Sequence, residues 1–136
     1  MMKGPVAWIS VALMMLGGFA PALAANFKDK VKVEIESVSL HPGMEPGMYV
    51  CALGHLHIKG TVQNLADVTL GRIKVAGKAF GSDGSLLGTA TSSTRQASLA
   101  PNEKAEINLE FLTITGPKIE QVKKYDVAVT EALPKQ

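Results

Sequence analysis

Cysteine is nearly absent from this chain. Cys51 is the only one, so no intrachain disulfide can brace the fold and the apolar core has to hold it. Charge of one sign is never massed either. Of the 14 basic residues all but Lys3, and all 12 acidic ones, are interspersed from Lys28 to Lys135, which leaves out the electrostatic footprint of a nucleic-acid or anionic-membrane binder. Amphipathic helical periodicity is missing, and there is one long apolar run, Val6 to Leu16, close to the start.

That run is preceded by Lys3 and followed by Gly17, Gly18, Pro21 and Ala22-Leu23-Ala24-Ala25, the order of a signal peptide with its cleavage site. Ala22 and Ala24 supply the small side chains that signal peptidase requires, so cleavage is expected before Ala25. The competing reading is an uncleaved anchor, because Val6 to Ala25 just reaches the roughly 20 residues of a spanning helix. Gly17, Gly18 and Pro21 weaken that helix at its outer end. No cysteine stands at the junction to carry a lipid. The expectation is a signal peptide over residues 1–24 and one domain over residues 25–136, periplasmic or secreted, with no stable membrane insertion after cleavage.

The remaining chain reads as short strands divided by turn signals. Val31, Val33 and Ile35 alternate with Lys32, Glu34 and Glu36. Leu56, Ile58, Gly60 and Val62 share one face of a strand, and His55, His57, Lys59, Thr61 and Gln63 the other. Ile73, Val75, Gly77 and Ala79 alternate with charged and small residues. Asp83-Gly84 supplies hairpin chemistry, and the Ser/Thr-rich stretch from Leu86 to Thr94 reads as an edge or solvent-facing strand. Ala105, Ile107, Leu109 and Phe111 point inward from a further strand with Glu106, Asn108 and Glu110 outward. A last strand near Val122 to Val129 turns Tyr125, Val127 and Val129 in. About seven strands at this spacing predict an all-β, immunoglobulin-like sandwich of two sheets.

The motifs Ile58-Lys59-Gly60-Thr61-Val62-Gln63-Asn64, Val75 to Phe80, Asp83-Gly84, Leu86-Leu87-Gly88-Thr89 and Leu99-Ala100-Pro101-Asn102-Glu103 follow one another in an order that resembles the FxLYD-type domains. Those are immunoglobulin-like modules of exported bacterial and archaeal proteins. The resemblance covers about half of the chain after the leader. Two positions depart from it: the aromatic-Asp pair is spread out as Phe80-Gly81-Ser82-Asp83, and Asn102 stands where a glycine is usual. What the resemblance implies is the fold; it brings no catalytic residues, and fold does not imply function.

All three histidines, the cysteine, Met44 and Met48 fall between His41 and His57. Thioether, thiolate and imidazole together suit copper, above all Cu(I). His55 and His57 stand on one face of a strand, about 6.5 to 7 Å apart, near enough to hold one ion. Met44 and Met48 each follow a Pro-Gly pair, whose type II turn could fold a thioether back over them, and His41 opens the same loop. The candidate metal ligands are therefore His41, Met44, Met48, His55 and His57. Cys51 is a weaker candidate: on a straight strand it lies about 13 Å from His55, out of reach unless Gly54 makes a bulge. Plainer readings stand beside these, with His55 and His57 as solvent-facing residues, Met44, Met48 and Tyr49 as an apolar loop, and Cys51 as a small buried hydrophobe.

No arrangement of nucleophile and base is legible, and Gly81-Ser82-Asp83-Gly84 lacks the following helix that a phosphate cradle needs. Two functions remain. One is a non-enzymatic exported module that binds another envelope or secreted protein or supports an envelope assembly. The other is a periplasmic copper-binding or copper-delivery protein.

Overall fold

The computed structural model describes residues 25–37 and 44–136. The expected signal peptide and His41 lie outside the described residues. No helix among the described residues is long and apolar enough to cross a membrane.

Alternation of apolar and polar side chains sets the strands, and each buries its apolar row. Among the described residues seven form in chain order: β1 (Val31–Ile35), β2 (Met48–Val50), β3 (His55–Asn64), β4 (Lys74–Phe80), β5 (Leu86–Ser93), β6 (Lys104–Thr115) and β7 (Lys124–Glu131). A 3-10 turn (Lys28–Lys30) precedes β1, and a single helical turn, α1 (Pro117–Glu120), precedes β7. In the first sheet β3 is central, with β6 along one edge and β1 and β2 paired in line along the other. The second sheet has the order β5-β4-β7. All pairings are antiparallel, and the chain crosses between the sheets at β3–β4, β5–β6 and β6–β7, so the fold is an immunoglobulin-like two-sheet sandwich.

The core lies between the sheets. Leu56, Ile58, Val62, Ala105, Ile107, Leu109 and Phe111 close it from the first sheet, Val75 and Ala79 from the second. Val33, Tyr125, Val127 and Val129 face the core as their alternation predicts, but remain half-buried at its margin. Gly77 thins the second sheet where the first is bulkiest: a Cβ there would stand 2.9 Å from Leu109 Cδ1 and 3.2 Å from Phe111 Cζ. β6 runs four residues past Phe111 because the two-residue alternation slips, with Ile114 the next buried residue and a register shift opposite His55/Leu56. The last strand starts at Lys124 rather than Val122. Pro117 opens α1 instead, and its Ile119, with Val122, packs against the core.

Asn64 ends β3 as a fully buried polar pin. Its side-chain amide donates to Val68 O and Leu99 O, both at 2.9 Å, and its Oδ1 accepts from the Ala66 N–H at 2.8 Å. Three backbone groups bond to it, Val68 O at the surface and Leu99 O and the Ala66 N–H in the interior. Asn64→Ala is therefore expected to cost about 3 kcal/mol, near 1 kcal/mol for each bond lost, and denaturant unfolding measures it; a change under 0.5 kcal/mol would mean that water replaces the amide. The turn that Asn64 grips holds Pro101 and Asn102 between Ala100 and Glu103, closed by the Glu103 N–H to Ala100 O. Asn102 takes φ +70°, so an asparagine fills the left-handed position where the FxLYD pattern has glycine.

At the β4–β5 hairpin the Ser85 hydroxyl and N–H both donate to Asp83 Oδ1, at 2.7 and 3.0 Å. These bonds hold the Asp83 carboxyl below its ordinary value of 3.8. A folded value that is depressed gives a contribution to stability that is present above pH 3.8 and is lost as pH falls through the folded value. An NMR titration should place the Asp83 midpoint below that of Ser85→Ala; equal midpoints would remove the hairpin's role.

Candidate metal centre

The outward face of the first sheet gathers the unusual residues. β2 and β3 are joined by a hairpin in which the Gly54 N–H bonds to Cys51 O at 2.9 Å and the Cys51 N–H to His55 O at 3.1 Å. Gly54 takes φ +84°, the left-handed position of a three-residue loop with a bulge. The Gly81–Ser85 hairpin repeats the same bond pattern, with Gly84 at φ +84°. This turn carries Cys51 back beside His55, and the 13 Å of a straight strand collapses to 3.9 Å between Cys51 Sγ and His55 Nδ1.

Pairing with β6 brings a residue that the sequence does not single out. His57 stands directly opposite Tyr49 on β2 and Glu110 on β6. Glu110 Oε2 accepts from His55 Nδ1 at 2.9 Å and lies 3.6 Å from His57 Nε2. Cys51, His55 and Glu110 offer one donor atom each, all within 4.8 Å of one another. The histidine side chains are 21% and 12% exposed and Glu110 is 40% exposed, so the cluster opens to solvent on the carboxylate side.

His57 is held more tightly than its neighbour. Its ring stacks on Tyr49 with centroids 4.7 Å apart and planes 21° from parallel. Its Nδ1 lies 2.6 Å from Asn108 Oδ1, and the Asn108 amide nitrogen donates to the Tyr49 hydroxyl at 2.5 Å. An amide oxygen only accepts, so Nδ1 carries a ring proton and Nε2 is the nitrogen left to face Glu110. Nε2 is buried and has no hydrogen-bond partner among the described residues.

Cys51 is half-buried, which opposes its thiolate. The backbone N–H groups of His55 and Leu53, and after them the His57 imidazole, outweigh that burial and hold the thiol below its ordinary value. Yet the cluster is not a Cys-His-acid relay. Cys51 and Glu110 both approach Nδ1 of His55, whereas a relay needs nucleophile and acid on opposite ring nitrogens.

The methionines go elsewhere. The Glu45–Met48 turn forms as the Pro-Gly pair predicts, with Gly47 at φ +84° and the Met48 N–H bonded to Glu45 O at 3.1 Å. Met48 then enters β2 opposite Ile58, on the core face, and is 1% exposed. The sheet backbone separates its thioether from His55 and His57. Met44 packs against the margin of the core. The Tyr125 hydroxyl donates to Pro46 O and ties β7 to this turn. Of the expected ligands, the structure brings together His55 and His57, adds Cys51 and Glu110, and sends Met48 to the other face.

No family model matches the chain, and no curated protein matches it. Among solved structures the chain is similar to a crystal structure of a DUF1425 family member from Shewanella sp. pv-4, with 15% identity over 76% of this chain and 79% of that one and a TM-score of 0.45. So distant a likeness carries no function across.

Proposed function

We propose that the chain is an exported, non-enzymatic β-sandwich module of the FxLYD kind whose ligand is a transition-metal ion held by Cys51, His55, His57 and Glu110. The FxLYD part has its support in Asn64, whose side-chain bonds give a physical role to a residue of that motif. The metal part rests above all on His57 Nε2, which is buried without a hydrogen bond and lies 3.6 Å from the Glu110 carboxylate. Either a metal ion or a second ring proton on His57 joins two such groups 3.6 Å apart. Thiolate with imidazole matches the ligand preferences of copper and zinc.

Titration of the purified protein with Zn(II), and with Cu(I) under reductant, tests this. At least one ion is expected to bind at one per chain with Kd below about 10⁻⁵ M, worth about 7 kcal/mol, and Cys51→Ser is expected to weaken it at least tenfold. Weak binding that Cys51→Ser leaves unchanged would rule the reading out. A partner protein is the second reading, and Leu53 favours it: this large apolar side chain is 80% exposed on the turn beside Cys51.

A further inference from the structure

Resting on that metal reading, we infer that the four side chains form a closed, zinc-type centre for a borderline divalent ion, with Glu110 as an oxygen donor and the methionines outside it. Three observations carry this. The first is the donor set: a soft Cu(I) site would recruit thioethers, but Met48 is in the core on the other face of the sheet, and a carboxylate takes the place facing the histidines. Zinc accepts one sulfur, two imidazole nitrogens and a carboxylate oxygen, whereas carboxylate suits Cu(I) poorly.

Charge is the second. A bound metal requires its thiolate and carboxylate ligands ionised and its imidazoles neutral. Cys51 and Glu110 then supply two negative charges, which neutralise a divalent ion and leave a monovalent one with an uncompensated charge in a half-buried site.

The third is the support around His57. Asn108 fixes its tautomer through Nδ1 and leaves Nε2 free to ligate, as outer partners of metal-binding histidines do, while Tyr49 sets the ring's tilt. Tetrahedral bonds of about 2.0 to 2.3 Å place ligand atoms about 3.3 to 3.6 Å apart. The separations of 3.9 Å between Cys51 and His55 and 3.6 Å between His57 and Glu110 are close to that, whereas His57 lies outside the mutually close set of Cys51, His55 and Glu110 and has to swing inward to complete the centre. The 2.9 Å between His55 and Glu110 is a hydrogen bond that the ion would replace, the ring then binding through Nδ1 and keeping its one proton on Nε2 as a neutral imidazole.

The test is a set of titrations on the purified protein, with thermal melts of the metal-free variants to confirm that each is folded. Glu110→Gln is expected to weaken Zn(II) at least tenfold while leaving Cu(I) within threefold. Met44→Leu/Met48→Leu is expected to leave Zn(II) within threefold. Co(II), used as a coloured substitute for zinc, should show the strong visible absorption of a four-coordinate ion and a thiolate charge-transfer band that Cys51→Ser abolishes. Zn(II) affinity unmoved by Glu110→Gln, or binding of Cu(I) without Zn(II) or Co(II), would overturn this inference and leave the metal reading standing. Failure of every ion to bind would overturn both.

Discussion

Phe111→Ala is expected to destabilise the domain by about 3 to 5 kcal/mol, the range for removing a fully buried phenylalanine. Phe111 is completely buried, and its ring reaches from β6 across to Gly77 on the second sheet, where glycine has no side chain to fill the space it leaves. Leu109, two residues earlier on the same face, meets the same glycine. A domain of this size has about 5 to 15 kcal/mol in total, and no disulfide adds to it. Denaturant unfolding should show the midpoint shifted at an unchanged slope. A loss under 1 kcal/mol would mean that Phe111 does not span the sheets.

Much of that core is legible in the sequence. The rows Leu56, Ile58, Val62 and Ala105, Ile107, Leu109, Phe111 face inward as strict alternation requires, and Leu86 to Ser93 is an edge strand, as its serines and threonines suggest. Alternation fixes which face a side chain takes, but not which strand lies beside it. Glu110 is for that reason invisible as a site residue: it reads as one more outward glutamate until β3 and β6 pair and set it opposite His57. Cys51 is hidden for another reason. The hairpin that returns it to His55 is built on Ala52-Leu53-Gly54, which lacks the aspartate or asparagine that announces the Asp83-Gly84 turn, and Leu53 looks like a strand residue although it is exposed. The signal that remained was Gly54 itself. Met48 follows the opposite course: the Pro-Gly turn is legible, but the parity of β2 against Ile58 turns its thioether inward.

Metal should change the stability of the intact protein and leave that of the site variants unchanged. An ion present at 100 times its Kd, binding the folded state alone, stabilises it by about 2.7 kcal/mol. For a domain of this length that raises Tm by roughly 8 to 15 °C. Cys51→Ser should abolish nearly all of the shift, since it removes the one sulfur donor, and His57→Ala should do the same by removing the buried Nε2. Asn108→Leu should leave a reduced shift, because outer partners of metal-binding histidines are worth 10- to 100-fold in affinity, or about 1.4 to 2.8 kcal/mol. Equal shifts in all four proteins would mean that the ion binds elsewhere on the surface.

The most direct measurement of the metal centre is the X-ray absorption fine structure of the protein loaded with one zinc per chain. Binding by Cys51, His55, His57 and Glu110 predicts one sulfur at about 2.3 Å and three nitrogen or oxygen neighbours at about 2.0 to 2.2 Å, with imidazole scattering beyond them. A shell of oxygen and nitrogen alone, with no sulfur, would contradict it.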